Sequence, residues 1–197
     1  MRDLPLNPAP ATVSVYAVDY GNTLSPSLGG PEQRINRPGN RWRAAFSMPP
    51  MMNKDAGRVF VARLVQGQSQ GVRTRLPLGG FDPGEPGAPV VSNSGQVGSR
   101  LNLSGFASGY TIKEGQFFSI FTGGAHYLYQ AAEEVSATAA GVVSLGFAPM
   151  LRTSPQAGDV CHFKQPMIEG LIEGSEVKWD LGVDYYIGLE FTIKERK

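Results

Sequence analysis

Thr111-Ile-Lys-Glu-Gly-Gln-Phe-Phe-Ser-Ile-Phe-Thr-Gly-Gly-Ala-His-Tyr-Leu-Tyr-Gln-Ala131 decides the fold class. Phe117, Phe118, Ile120 and Phe121 follow Gly115, and Tyr127-Leu-Tyr129 follows the Gly123–Gly124 pair. Short aromatic and β-branched runs bounded by Gly read as strands. The same rhythm continues through Gly141, Val142-Val-Ser-Leu145, Pro149 and Val160 to Phe163. It predicts a small closed β unit over 99–165 rather than a helical domain. The stretch carries almost nothing that could do chemistry.

On the C-terminal side, Val183, Tyr185, Ile187, Leu189, Phe191 and Ile193 share one face of an alternating pattern. Period two over that length specifies a strand. A strand so apolar needs a sheet to pair with. The expected partner is Arg41–Met48, where Trp42, Ala44, Phe46 and Met48 alternate with Arg41, Arg43, Ala45 and Ser47. The domain that holds both is therefore discontinuous. Between them, Met52, Ala56, Val59, Phe60 and Leu64 recur at helical spacing, with Asn53 as N-cap and Gly67 as stop. Leu78 to Gly98 is too rich in Gly and Pro for a helix or a central strand, and reads as a boundary or an excursion to a partner. Residues 1–40 read as an extended arm around one strand, Thr12 to Tyr20. The expected fold is mainly β with one short helix. It has a β-sandwich-like domain over 41–98 and 166–197, an inserted β-barrel-like domain over 99–165, and the arm over 1–40.

The 197 residues are 41% apolar, enough to bury a core. The single cysteine, Cys161, permits no intrachain disulfide and suits a reducing compartment. Met1-Arg-Asp-Leu-Pro has no apolar leader core, and no stretch is long and apolar enough for a membrane helix, so cytoplasmic synthesis without membrane insertion is expected. The net charge of +1 hides a polarity: residues 1–100 hold 11 Lys/Arg against 6 Asp/Glu, and residues 101–197 hold 7 against 11. Either both sets are merely solvated, or a basic face meets the acidic face of a neighbouring copy. On the second reading Arg34, Arg37, Arg41, Arg43, Glu173 and Glu176 line a subunit interface.

The search for a catalytic, metal or cofactor site finds none to assign. His126, Cys161 and His162 are the imidazole and thiol ligands available, and an extended 160–163 sends Cys161 and His162 to opposite faces. Cys161 between Val160 and Phe163 reads as a small core residue. Gly105-Phe-Ala-Ser108-Gly109 has the wrong spacing for a nucleophile elbow. Glu169, Glu173, Glu176, Asp180 and Asp184 read as an acidic rim on loops rather than a paired-carboxylate site. The Gly-rich 79–87 segment lacks the Gly-Lys-Ser/Thr ending of a phosphate loop. Trp42 falls on the face opposite Arg41 and Arg43, which favours a protein interface over nucleic acid for those arginines.

Several stretches resemble distal tail and tail-tip proteins of siphovirus-like bacteriophages. They are Leu101-Asn-Leu-Ser-Gly-Phe, Thr111-Ile-Lys-Glu-Gly-Gln-Phe-Phe-Ser-Ile, Tyr127-Leu-Tyr-Gln-Ala, Ala140-Gly-Val-Val-Ser-Leu, Pro149-Met-Leu-Arg-Thr-Ser-Pro and Gly158-Asp-Val. The upstream order of Trp-bearing strand, helix, strand and Pro/Gly-rich segment is similar too. Gln116 stands where such proteins often carry an acidic residue. The resemblance implies a non-catalytic virion protein in the tail. It would form a homo-oligomeric ring, commonly of six subunits, between the tail tube protein and the tail-tip hub or fibres, with the small β domain projecting. It implies no cofactor. Two other expectations fit the same composition. One is a carbohydrate- or receptor-binding module using Tyr110, Tyr127 and Tyr129; the other is a head–tail connector or capsid decoration protein.

Overall fold

The structure, a computed structural model, describes residues 1–54, 56–181 and 185–196. Its first half runs β1 (Arg2–Asp3), β2 (Thr12–Val18), β3 (Asn22–Leu24), β4 (Gln33–Ile35), β5 (Arg41–Ser47), β6 (Met51–Met52), α1 (Ala56–Gln70), β7 (Val72–Arg75) and β8 (Gly87–Val91). The second half runs β9 (Arg100–Phe106), β10 (Thr111–Ile112), β11 (Phe117–Thr122), β12 (Ala125–Ala131), β13 (Val135–Ser136) and β14 (Val143–Ala148). It ends with β15 (Val160–His162), β16 (Met167–Ile172), β17 (Trp179–Leu181) and β18 (Tyr186–Glu195). The chain is mainly β with one short helix.

The large sheet has the order β1-β7-β16-β18-β5-β2, with β6 and β17 pairing the first half of β18. As the alternation requires, β18 returns to β5, and Phe191 lies opposite Phe46. Ile187, Leu189, Phe191 and Ile193 are buried, and the two phenyl rings stack at 5.1 Å. Tyr185 departs from the expected pattern: it precedes the strand at φ 63° and is 78% exposed. Val183 and Asp184 lie outside the described residues.

Helix α1 covers the inner face of this sheet with Phe60 and Leu64, but its other buried positions are Gly57 and Gly67. Val59, expected on that face, is 42% exposed. The helix does not stop at Gly67. It runs one turn further and ends at Gly71, whose φ of 77° suits a left-handed cap and whose N–H donates to the Gly67 carbonyl at 2.7 Å.

The inserted unit is a closed barrel of six strands, β11-β12-β14-β9-β8-β15. Its core is an aromatic stack in which Phe118 lies parallel to Phe163 at 4.7 Å, with Tyr129 and Phe147 edge-on at 5.1 Å. The barrel begins at Gly87 rather than at residue 99. β8 pairs both β9 and β15, so part of the expected excursion is a barrel strand. Pro89 is tolerated there because the register shifts between Gly87 and Val90.

The first 40 residues hold four strands instead of one. β1 pairs in parallel with β7, β2 pairs with β5, and Leu4 is buried in the sheet core. Only the hairpin of β3 and β4 keeps the character of an arm, with every strand residue exposed.

Candidate functional site at the sheet–barrel junction

Two domains joined through an insertion need a contact that fixes their relation. Here the last residue of β18 supplies it. Glu195 continues the inward parity of Ile187 to Ile193, so its carboxylate enters the interior, where the residue is 2% exposed. The main-chain N–H of Trp42 in the sheet donates to its Oε2 at 2.8 Å, and that of Leu128 in the barrel donates to its Oε1 at 2.8 Å. Arg152 completes the set, its Nη2 donating to Oε1 at 2.7 Å. The guanidinium also lies over Tyr127 and Tyr129, 5.1 and 5.8 Å from their ring centres. Burial pushes the Glu195 carboxyl up, and Arg152 with the two amides opposes that rise. Apolar packing accompanies the polar hub: Leu128 joins the sheet core, and Phe117 meets Trp42 edge-on at 5.1 Å.

Beside this hub a cleft of about 460 Å³ is lined by Asp3, Arg73, Arg75, Phe121, His126 and His162, among others. The two imidazole centres lie 5.2 Å apart, a juxtaposition the sequence spacing conceals because it arises from barrel pairing. Both strands flank β11, with Phe121 opposite His126 and Ser119 opposite His162. Burial, the neighbouring His162 and Arg73 hold His126 down at about 4, so it is neutral near pH 7. Glu169 is not a rim carboxylate. It sits in β16, 3% exposed, and accepts the His126 main-chain N–H at 3.3 Å. Among the described residues, no three His, Cys, Asp or Glu side chains are placed to share a metal ion.

Cys161 faces the barrel core as expected and His162 the other side. Burial drives the Cys161 thiol up to about 12, far from a thiolate. Ser108 lies in a turn. Tyr129 is 1% exposed in the barrel core and offers no open stacking surface, while the half-buried Tyr110 donates its hydroxyl to the Pro83 carbonyl at 2.8 Å and stacks its ring on Phe106 at 5.7 Å. A larger hollow of about 670 Å³ lies where Pro5–Pro10 and Leu76–Pro83 bridge the sheet core at Phe46, Phe60 and Phe191.

The residues expected at a subunit interface are dispersed, and most have partners within the chain. Arg34 in β4 pairs with Asp19, while Arg37 and Glu176 are exposed in loops. Arg41 donates to the carbonyls of Gly39 at 3.0 Å and Glu195 at 3.3 Å, and lies over Tyr20. Arg43 reaches Glu173 at 3.2 Å and covers Tyr16 at 4.4 Å. A basic residue and an acidic one assigned to opposing faces thus meet on one sheet surface.

No helix among the described residues is long and apolar enough to cross a membrane. The chain matches no known protein family, and no curated protein is significantly similar to it.

Proposed function

We propose that this chain is a structural protein of a bacteriophage tail, forming a ring at the distal end of the tail tube and joining it to the tail-tip hub or fibres. The observation that carries the reading is the buried hub at Glu195, which ties a sheet domain and a closed barrel into one rigid piece through donors from both. Adaptors need that rigidity: one part binds neighbours in the ring, and the other projects at a fixed angle. The order of elements between residues 41 and 193 supports it through the resemblance stated above. The reading is non-catalytic. Several groups that could do chemistry are used structurally, Cys161 as a core thiol and Glu195 and Glu169 as buried acceptors.

Cryo-electron microscopy of the native particle tests it. Density for this chain as a ring below the tail tube is the expected result. Density in the head or at the head–tail junction would assign the connector or decoration role instead. A monomer absent from any particle would overturn both.

A further inference from the structure

β2 is an edge strand. It pairs with β5 through all seven of its residues, and among the described residues it ends the sheet order with no strand on its other side. Every second residue of such a strand aims its N–H and C=O away from the sheet. Monomeric proteins guard long edges with charge, proline, bulges or covering loops. Thr12-Val-Ser-Val-Tyr-Ala-Val18 has no charged residue and no proline, and its register with β5 is unbroken. The side chains repeat the message: Val13 and Val15 point to the core and pack against it, yet remain only half-buried.

A second unfinished element lies four residues further on. The β3–β4 hairpin has two strands of three residues, all exposed. Leu24 is 49% exposed, Ile35 39% and Leu28 97%. A two-stranded hairpin without a core is marginal alone in water. Its β3 edge, Asn22-Thr-Leu24, carries no charge, whereas Arg34 on β4 is already paired with Asp19. An uncharged edge on β2 and an uncharged edge on β3 of the exposed hairpin are an acceptor and a donor for strand addition.

We infer that the β3 edge of one copy adds to the β2 edge of the next, extending the neighbour's sheet and covering its Val13 and Val15. The inference rests on the ring reading above and names its contact. The two surfaces differ, so the contact is head-to-tail, the type that closes into rings. It needs no arginine–glutamate contact between copies, and Arg43 and Glu173 pair within one chain.

Disulfide trapping in trans tests it, since the one native thiol, Cys161, is buried. Ser14→Cys and Thr23→Cys are made separately in the full chain, mixed, and oxidised. The expected product is a disulfide-linked dimer in the mixture and in neither protein alone. The double variant should give a ladder of covalent multimers, and replacing residues 22–35 with a Gly/Ser linker should abolish the wild-type multimer in light scattering. Dimer from Ser14→Cys alone would show β2 pairing with β2 and overturn the inference. Wild-type multimers that form no mixed disulfide and survive the linker replacement would overturn it while leaving the ring reading intact. A wild-type monomer at all concentrations would sink both.

Discussion

Glu195 shows how much one side chain can decide. Its carboxylate and Arg152 are 0% and 2% exposed, so each is tolerable only because the other is present. Removing one partner of a buried pair costs about 3–5 kcal/mol, whereas replacing both with neutral groups can be nearly neutral. Arg152→Met should therefore lower the urea unfolding free energy by about 3–5 kcal/mol, and adding Glu195→Gln should restore part of the loss. Equal stability of the single and double variants would mean that the charge is not what the pairing protects. His126 makes a prediction with pH. Its folded pKa lies near 4 and its unfolded value near 6.5, so the unfolded chain binds the extra proton between those limits. Stability falls as pH drops through that window. Asp3, Glu169, Arg73 and His162 also face this region, so the measurement is a comparison: His126→Gln should show a shallower loss of Tm between pH 7 and 4 than wild type. Half of this chemistry was legible in the sequence. Extending the β18 alternation two residues past Ile193 places Glu195 in the core, and a carboxylate there demands a partner. That the partner is Arg152, 43 residues away across a domain boundary, follows only from the barrel's docking.

At the scale of elements, helix α1 separates propensity from packing. Gly57 and Gly67 look like weaknesses, and Gly67 like a stop, because glycine costs about 1 kcal/mol against alanine in a helix interior. Both face the sheet. A methyl on Gly67 would lie 2.1 Å from Val72 Cγ1, and one on Gly57 would lie 2.7 Å from the Met52 carbonyl. Val72 is β-branched and fully buried, so moving it aside disturbs its neighbours in the core. Gly67→Ala should destabilise the protein by about 1–3 kcal/mol despite the better helix former, as overpacking does. Gln66→Ala, one residue away on the exposed face, should change stability by less than about 0.5 kcal/mol. A stabilised Gly67→Ala would show that the helix can lift from the sheet. The same logic explains which elements the sequence hid. Strands β5 and β18 were legible because each buries one face of alternating side chains. Strand β8 was not: its Gly87, Pro89 and register shift argue locally against a strand, and pairing on both sides overrides them.

For the whole molecule, the question is whether sheet and barrel fold as one unit. The chain supplies a reporter for each. Both tryptophans, Trp42 and Trp179, are in strands of the large sheet, and the sole cysteine, Cys161, is inside the barrel. Two covalent crossings, the Glu195 hub and the shared packing of Leu128 and Phe117 hold the units together. Leu128 belongs to a barrel strand but lies in the sheet core, so the barrel cannot open at β12 without stripping contacts from Trp42's side of the junction. Wild-type tryptophan fluorescence and Cys161 labelling should therefore share one urea midpoint. Labelling at lower urea than the fluorescence change would mean that the barrel opens by itself, and that the hub does not couple the units. Arg152→Met offers the sharper comparison. It keeps the apolar side chains of both cores and removes the charged partner at the junction, so it should separate the two midpoints. If that variant merely shifts both together, the apolar contacts alone carry the coupling. The hub would then set the angle between sheet and barrel rather than their common stability.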